Sequence, residues 1–109
     1  MIIGVAGPYS APTEEGRKTN LDRLNMAAAR LLEMGHVPLI GINAALPVLE
    51  KATVPDVYDA GMAISLAVIG GCEALLYIGQ SRGADMELNL ILSRGLPVYR
   101  SLAEVPPSK

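Results

Sequence analysis

An α/β domain with a parallel sheet covered on both faces is the fold class this sequence predicts, and three observations carry it. Four short apolar runs, at 1–6, 36–40, 74–78 and 96–99, are separated by longer segments of helical spacing. Alternation of strand and helix argues for parallel strands between helix layers, with right-handed crossovers. Half of the 109 residues are hydrophobic, which fits one domain with one core.

The elements follow in order. Residues 1–6 read as a buried strand ended by Gly7-Pro8. Polar residues 9–17, with Pro12 and Gly16, read as a loop. Leu21, Leu24, Ala28, Leu31 and Leu32 set a helix over 18–34, and Gly35 stops it. The run 36–40 is a second strand, at a sheet edge because Pro38 cannot donate to a ladder. Residues 41–54 read as a connector with one helical turn at 45–51. Pro55 then opens a helix that runs to about 69, and Gly70-Gly71 ends it. A third strand over 74–78 leads through Gly79 to Gly83 into a helix at 84–94. Gly95 stops that helix before a fourth strand over 96–99. The tail, 101–109, contains Pro106 and Pro107 and is expected to fray beyond a short turn.

Composition excludes several function classes. The net charge is −2 and there is no cluster of Lys or Arg, which argues against long nucleic acid as a partner. No apolar stretch reaches the ~20 residues that span a bilayer, and the start lacks a cationic region. A cytoplasmic setting is expected. Cys72 is the single cysteine and reads as a buried thiol. With one histidine, His36, a zinc centre and a Ser-His-Asp triad are both unsupported. No Walker motif or Gly-x-Gly-x-x-Gly occurs, and neither metal nor cofactor is expected.

Ligands of open parallel sheets bind beyond the carboxyl ends of the strands. Three segments fall there: Gly7-Pro8-Tyr9-Ser10, Gly41-Ile42-Asn43, and Gly79 to Glu87. Gly83 lets the backbone approach a ligand closely, and the first amides of the following helix favour an anion such as a 5′-phosphate. Ser81 offers a hydroxyl. Glu87 falls in or just after the first turn, where the helix dipole is expected to keep it ionised. The same residues also fit a plainer role, with Asp85 and Glu87 complementing the dipole and Ser81 ordering the turn. Tyr9 is placed to stack on a base, and Ser10 to donate to sugar or phosphate.

Taken together, Ile3-Gly4-Val5-Ala6-Gly7-Pro8, Cys72-Glu73-Ala74-Leu75-Leu76-Tyr77, Ser81-Arg82-Gly83-Ala84-Asp85-Met86-Glu87-Leu88 and Gly95-Leu96-Pro97-Val98 resemble the successive signatures of the nucleoside 2-deoxyribosyltransferase superfamily. The resemblance spans residues 1–100, with 101–109 as a tail. It implies a flavodoxin-like or Rossmann-like three-layer fold with four to five parallel strands. It also implies cleavage of an N-glycosidic bond through a glutamate nucleophile, which falls on Glu87, with the sugar held covalently and passed to water or to another base. The transferases of that family carry aspartate six residues before the nucleophile. The branch that hydrolyses nucleoside 5′-monophosphates carries serine there and glycine two residues on, matched here by Ser81 and Gly83.

The resemblance therefore favours hydrolysis of a nucleotide, with Gly7, Pro8, Tyr9, Ser10, Ser81, Arg82 and Gly83 as substrate-binding residues. The position of the family's acid falls on Ser65, a poor general acid. Tyr58 lies two turns earlier on the same face and is the candidate to compensate, with Asp85 as a second candidate. The catalytic expectation is thus Glu87, Tyr58 and Ser65. Family members form homodimers, and a homodimer or higher homo-oligomer is expected here. The alternative is a nucleotide-binding module that kept the fold and lost the chemistry. A relative acting on a dinucleotide ranks last, since the loops are short.

Overall fold

Strand β1 (Ile2–Ala6) buries side chains on both faces, Ile3 and Val5 on one side and Ala6 on the other. β3 (Ala74–Tyr77) repeats the pattern, with Ala74 and Leu76 on the first face and Leu75 on the second. A strand covered on both sides must carry apolar residues at every position, and these two do. They form the middle of a four-stranded parallel sheet in the order β2-β1-β3-β4, with β2 at Val37–Leu39 and β4 at Val98–Tyr99. The architecture is the three-layer α/β arrangement expected, at the lower strand count. Pro38 lies on an edge strand, paired with Ile3.

The computed structural model describes residues 1–108. Helix α1 (Glu14–Glu33) covers the first face through Leu24 and Leu31. Helices α3 (Val57–Gly70) and α4 (Arg82–Ser93) cover the second through Ile69, Ala84 and Ile91. Helix α2 (Gly41–Lys51) packs along α3.

Several boundaries differ from the sequence expectation, each for a local reason. α1 starts four residues earlier than expected, because the Thr13 hydroxyl accepts the Gly16 amide at 3.0 Å and Glu14 and Glu15 complement the dipole. α3 begins after Asp56, whose carboxylate caps the Asp59 amide at 3.0 Å, so Pro55 precedes the cap. α4 begins at Arg82, with Ser81 as its cap. The connector at 41–54 is in fact a three-turn helix that contains Pro47. Pro47 and Asn43, whose carbonyl it cannot serve, are both exposed, so that carbonyl is left on the solvent side.

Gly35 and Gly95 end α1 and α4 with φ of 91° and 68°. At each, the amide two past the cap reaches back one turn, His36 to Leu31 and Leu96 to Ile91. Beyond β4 the expected short turn is present, but the described residues after it are held rather than frayed. A 3-10 turn at Leu102–Glu104 sets Val105 into the core, and the Ser108 amide donates to the Met34 carbonyl at 3.2 Å. His36 is 2% exposed and joins these ends. Its Nδ1 lies 3.0 Å from the Met1 amino group and its Nε2 2.6 Å from the Pro106 carbonyl. Cys72 is buried as expected, and burial first, with Glu87 and Glu73 adding, pushes its thiol up to about 11.

Two glycines separate backbone strain from crowding. A methyl group at Gly95 meets nothing within 4 Å, so Gly95→Ala costs only the left-handed conformation, about 1 kcal/mol. A methyl at Gly41 falls 2.7 Å from Ser65 Cα, where backbone must shift, and Gly41→Ala is expected to cost about 3 kcal/mol. Urea denaturation of both variants checks this order.

Candidate active site

Outside the carboxyl ends of β1 and β3 lies a cavity of about 490 Å³. The strand order reverses at this point, since β1 leads through α1 to β2 on one side while β3 leads through α4 to β4 on the other. The segment after β1 supplies Gly7, Tyr9 and Ser10, and the amino end of α4 supplies Ser81, Arg82, Gly83, Ala84 and Glu87. α3 supplies Tyr58, Gly61, Met62 and Ser65, with Val57 at its start. The opposing wall is apolar, with Leu24 from α1 and Ile40, Ile42, Leu46 and Leu49 from the β2–α2 segment.

Of the residues singled out in the sequence, Glu87, Tyr58, Ser65, Gly7, Tyr9, Ser10, Ser81, Arg82 and Gly83 meet at this cavity. Pro8 does not line it. Its ring packs on Gly79, where an added methyl would stand 2.9 Å from Pro8 Cδ. Asp85 also lies outside. It accepts the Tyr77 hydroxyl at 2.7 Å and the Gln80 amide at 3.5 Å. That bond is the chief cause raising the Tyr77 phenol above its ordinary value. Gly41 and Ile42, placed at the ligand edge in the sequence, also line the cavity, whereas Leu24 of α1 and Leu46 and Leu49 of α2 escaped the sequence reading. Ile42, Ala45, Leu46 and Leu49 do carry helical spacing, which extends beyond the single turn expected at 45–51.

Ser81 Oγ accepts the Ala84 amide at 3.0 Å, and the Asp85 amide bonds the Ser81 carbonyl at 2.9 Å. The plainer role of Ser81 is therefore real, and it leaves the Arg82 and Gly83 amides as the open donors of α4. Met62 Sδ lies 3.1 Å from where a side chain on Gly83 would begin, so α3 seats closely against this turn. The Arg82 guanidinium stacks 4.7 Å from the Tyr58 ring centroid. Tyr58 Oη is buried and has no hydrogen-bond partner among the described residues. Asn20, unremarked in the sequence, fixes the Tyr9–Ser10 loop by donating to the Tyr9 carbonyl at 2.9 Å.

Glu87 is 7% exposed and lines the cavity without an ion pair or hydrogen bond among the described residues. Burial pushes its carboxyl up to about 8, against the ionised state expected from the helix dipole. Glu87 is the sixth residue of α4, past the first turn where the dipole acts. Desolvation therefore prevails. No family model matches this chain, and no curated protein matches it.

The raised carboxyl has a stability consequence. An unfolded glutamate ionises near its model value of 4.5, while the folded one holds its proton to about 8. Folding therefore takes up a proton between those values, and wild-type stability falls as pH rises through that window. Glu87→Gln removes the titration. The variant is expected to gain little at pH 4.5 and on the order of 3 kcal/mol at pH 7, levelling above pH 8. Urea midpoints measured across this range check the sign.

Proposed function

We propose that this protein cleaves the N-glycosidic bond of a nucleoside 5′-monophosphate, with Glu87 as nucleophile and water as the favoured acceptor. One observation carries the reading: a buried carboxyl with no partner of its own faces a cavity whose rim is the open end of a helix. An unpaired buried acid is a standing cost and calls for a ligand. In this reading the 5′-phosphate sits on the Arg82 and Gly83 amides with the Ser81 hydroxyl and Arg82. Tyr58 Oη gains a partner there, and Tyr9 and Ser10 border the sugar. The order of sequence blocks resembling the nucleoside 2-deoxyribosyltransferase superfamily supports the same assignment. A small nucleotide is the partner, no cofactor is required, and the setting is cytoplasmic. No helix among the described residues is long and apolar enough to cross a membrane. A homodimer is part of the proposal, supported by exposed Val37 and Leu39 on the edge strand and Met26 and Leu32 on α1.

The chemistry runs in two steps. Ionised Glu87 attacks C1′ as the base departs, and water then releases the sugar phosphate from the glycosyl ester. Only the ionised fraction of Glu87 attacks.

Incubation with a panel of ribo- and deoxyribonucleoside 5′-monophosphates is expected to release free base. Glu87→Gln is expected to lower the rate at least about 10³-fold. In wild type, kcat/KM should rise with pH to a plateau above about 8, lying about 100-fold lower at pH 6 than at pH 9. No release from any member, with wild type and variant alike, defeats the proposal. A second reading, binding without turnover, is favoured by Ser65 standing where the family places an acid. Calorimetric binding of nucleotides with no base released over hours would select it.

A further inference from the structure

Breaking a glycosidic bond leaves an electron pair on the base nitrogen, and something must accept that charge. Glu87 is the one carboxyl that lines the cavity among the described residues. Asp85 is held by Tyr77 outside it. With the Tyr58 hydroxyl assigned to the phosphate, the site therefore lacks a second carboxylic acid to protonate the leaving base.

The opposite wall offers a different solution. Helix α2 spans 11 residues and opens with Ile40, which supplies no side-chain cap. The Asn43 amide bonds the Ile40 carbonyl at 3.2 Å, so the Gly41 and Ile42 amides are the open donors, and both residues line the cavity. Against them stands Ser65, 4% exposed, also in the lining, with no hydrogen bond from its hydroxyl to any described residue. It abuts the helix end: a methyl on Gly41 would lie 2.9 Å from Ser65 Oγ. The amino end of α2 and the Ser65 hydroxyl are thus neighbours in a cavity wall that also contains the apolar side chains of Leu46, Leu49 and Met62. In such a low-dielectric wall a helix end stabilises negative charge far better than it does in water.

Resting on the glycosidase reading, we propose that the base leaves as an anion held by the amino end of α2 and Ser65, and that the substrates are nucleotides whose base carries oxo groups on that edge. Uracil, thymine and hypoxanthine have this edge; cytosine and adenine present an amino group there. The C1′–N bond breaks as a Glu87 oxygen bonds C1′, and the electron pair spreads from the base nitrogen onto the base's exocyclic oxo groups, which accept from Gly41, Ile42 and Ser65. Water then attacks C1′, the Glu87–C1′ bond breaks, and the proton that water sheds ends on the base. An amino edge brings donors against donors and gives the charge no such resting place.

The test uses matched pairs of 5′-monophosphates, uridine against cytidine and inosine against adenosine, each as ribo and deoxy forms. In any pair that is cleaved, the oxo member is expected to lead by at least about tenfold in kcat/KM. Ser65→Ala is expected to reduce cleavage of the oxo member about tenfold and so to narrow the ratio within each pair. Equal or faster release from the amino member, still dependent on Glu87, overturns this inference while the glycosidase reading stands. No Glu87-dependent release from any substrate overturns both. Should Ser65→Ala fail to fold, the wild-type pairs alone decide.

Discussion

β1 and β3 run side by side in parallel, Ile3 to Ala74 through Ala6 to Tyr77, and every other feature of the molecule hangs on that pairing. Both strands are buried on two faces, so neither can shift register without driving core residues into the wrong layer. Their connections then part, one through α1 and the other through α4. A hollow is left where the two chain paths separate. The cavity is therefore a consequence of topology before it is a consequence of any side chain. Side chains decide only what the hollow can hold.

Glu87 shows how those side chains trade stability for availability. Its neighbours on α4, Ala84 and Ile91, are core residues, and the helix face that carries them inward also carries the carboxyl inward. A leucine there would extend the core. An arginine partner would hold the charge but would occupy the position a ligand needs. The carboxyl instead stays unpaired, pushed up to about 8 by burial. Groups shifted this far by desolvation, in a hollow and without a structural partner, concentrate at functional sites. His36 is the instructive contrast. It is as buried as Glu87, but both of its ring nitrogens are engaged, and its place is at the opposite end of the sheet, where it joins the two ends of the chain.

Much of this arrangement was legible in the residues. Runs of apolar residues fixed the strands, Gly35 and Gly95 fixed two helix ends, and the polar, glycine-rich segments fell at one sheet edge because topology puts them there. The errors have physical causes. The segment 41–54 reads as a connector with one helical turn, so of the wall it builds only Gly41 and Ile42 were placed at the ligand edge, and Leu46 and Leu49 were not. The tail reads as frayed because its two prolines are local signals, whereas Val105 is held by a tertiary contact that no local pattern records. The protonation of Glu87 escaped for the same reason. The dipole of its own helix is visible in sequence, but the desolvation that outweighs it comes from residues remote along the chain.

The two helix ends at the cavity differ in their surroundings. α4 is capped by Ser81, which consumes one amide and leaves two, beside the guanidinium of Arg82 and close to solvent. That is a setting for a full, hydrated charge such as a phosphate. α2 begins with an isoleucine, sits against a buried hydroxyl and is walled by leucines. A permanent dianion would lose too much hydration there. A charge that forms inside the wall from a neutral group has no hydration shell to lose. The dry helix end thus suits a transient charge and the wet one a permanent charge. Glu87 lines the same cavity as both.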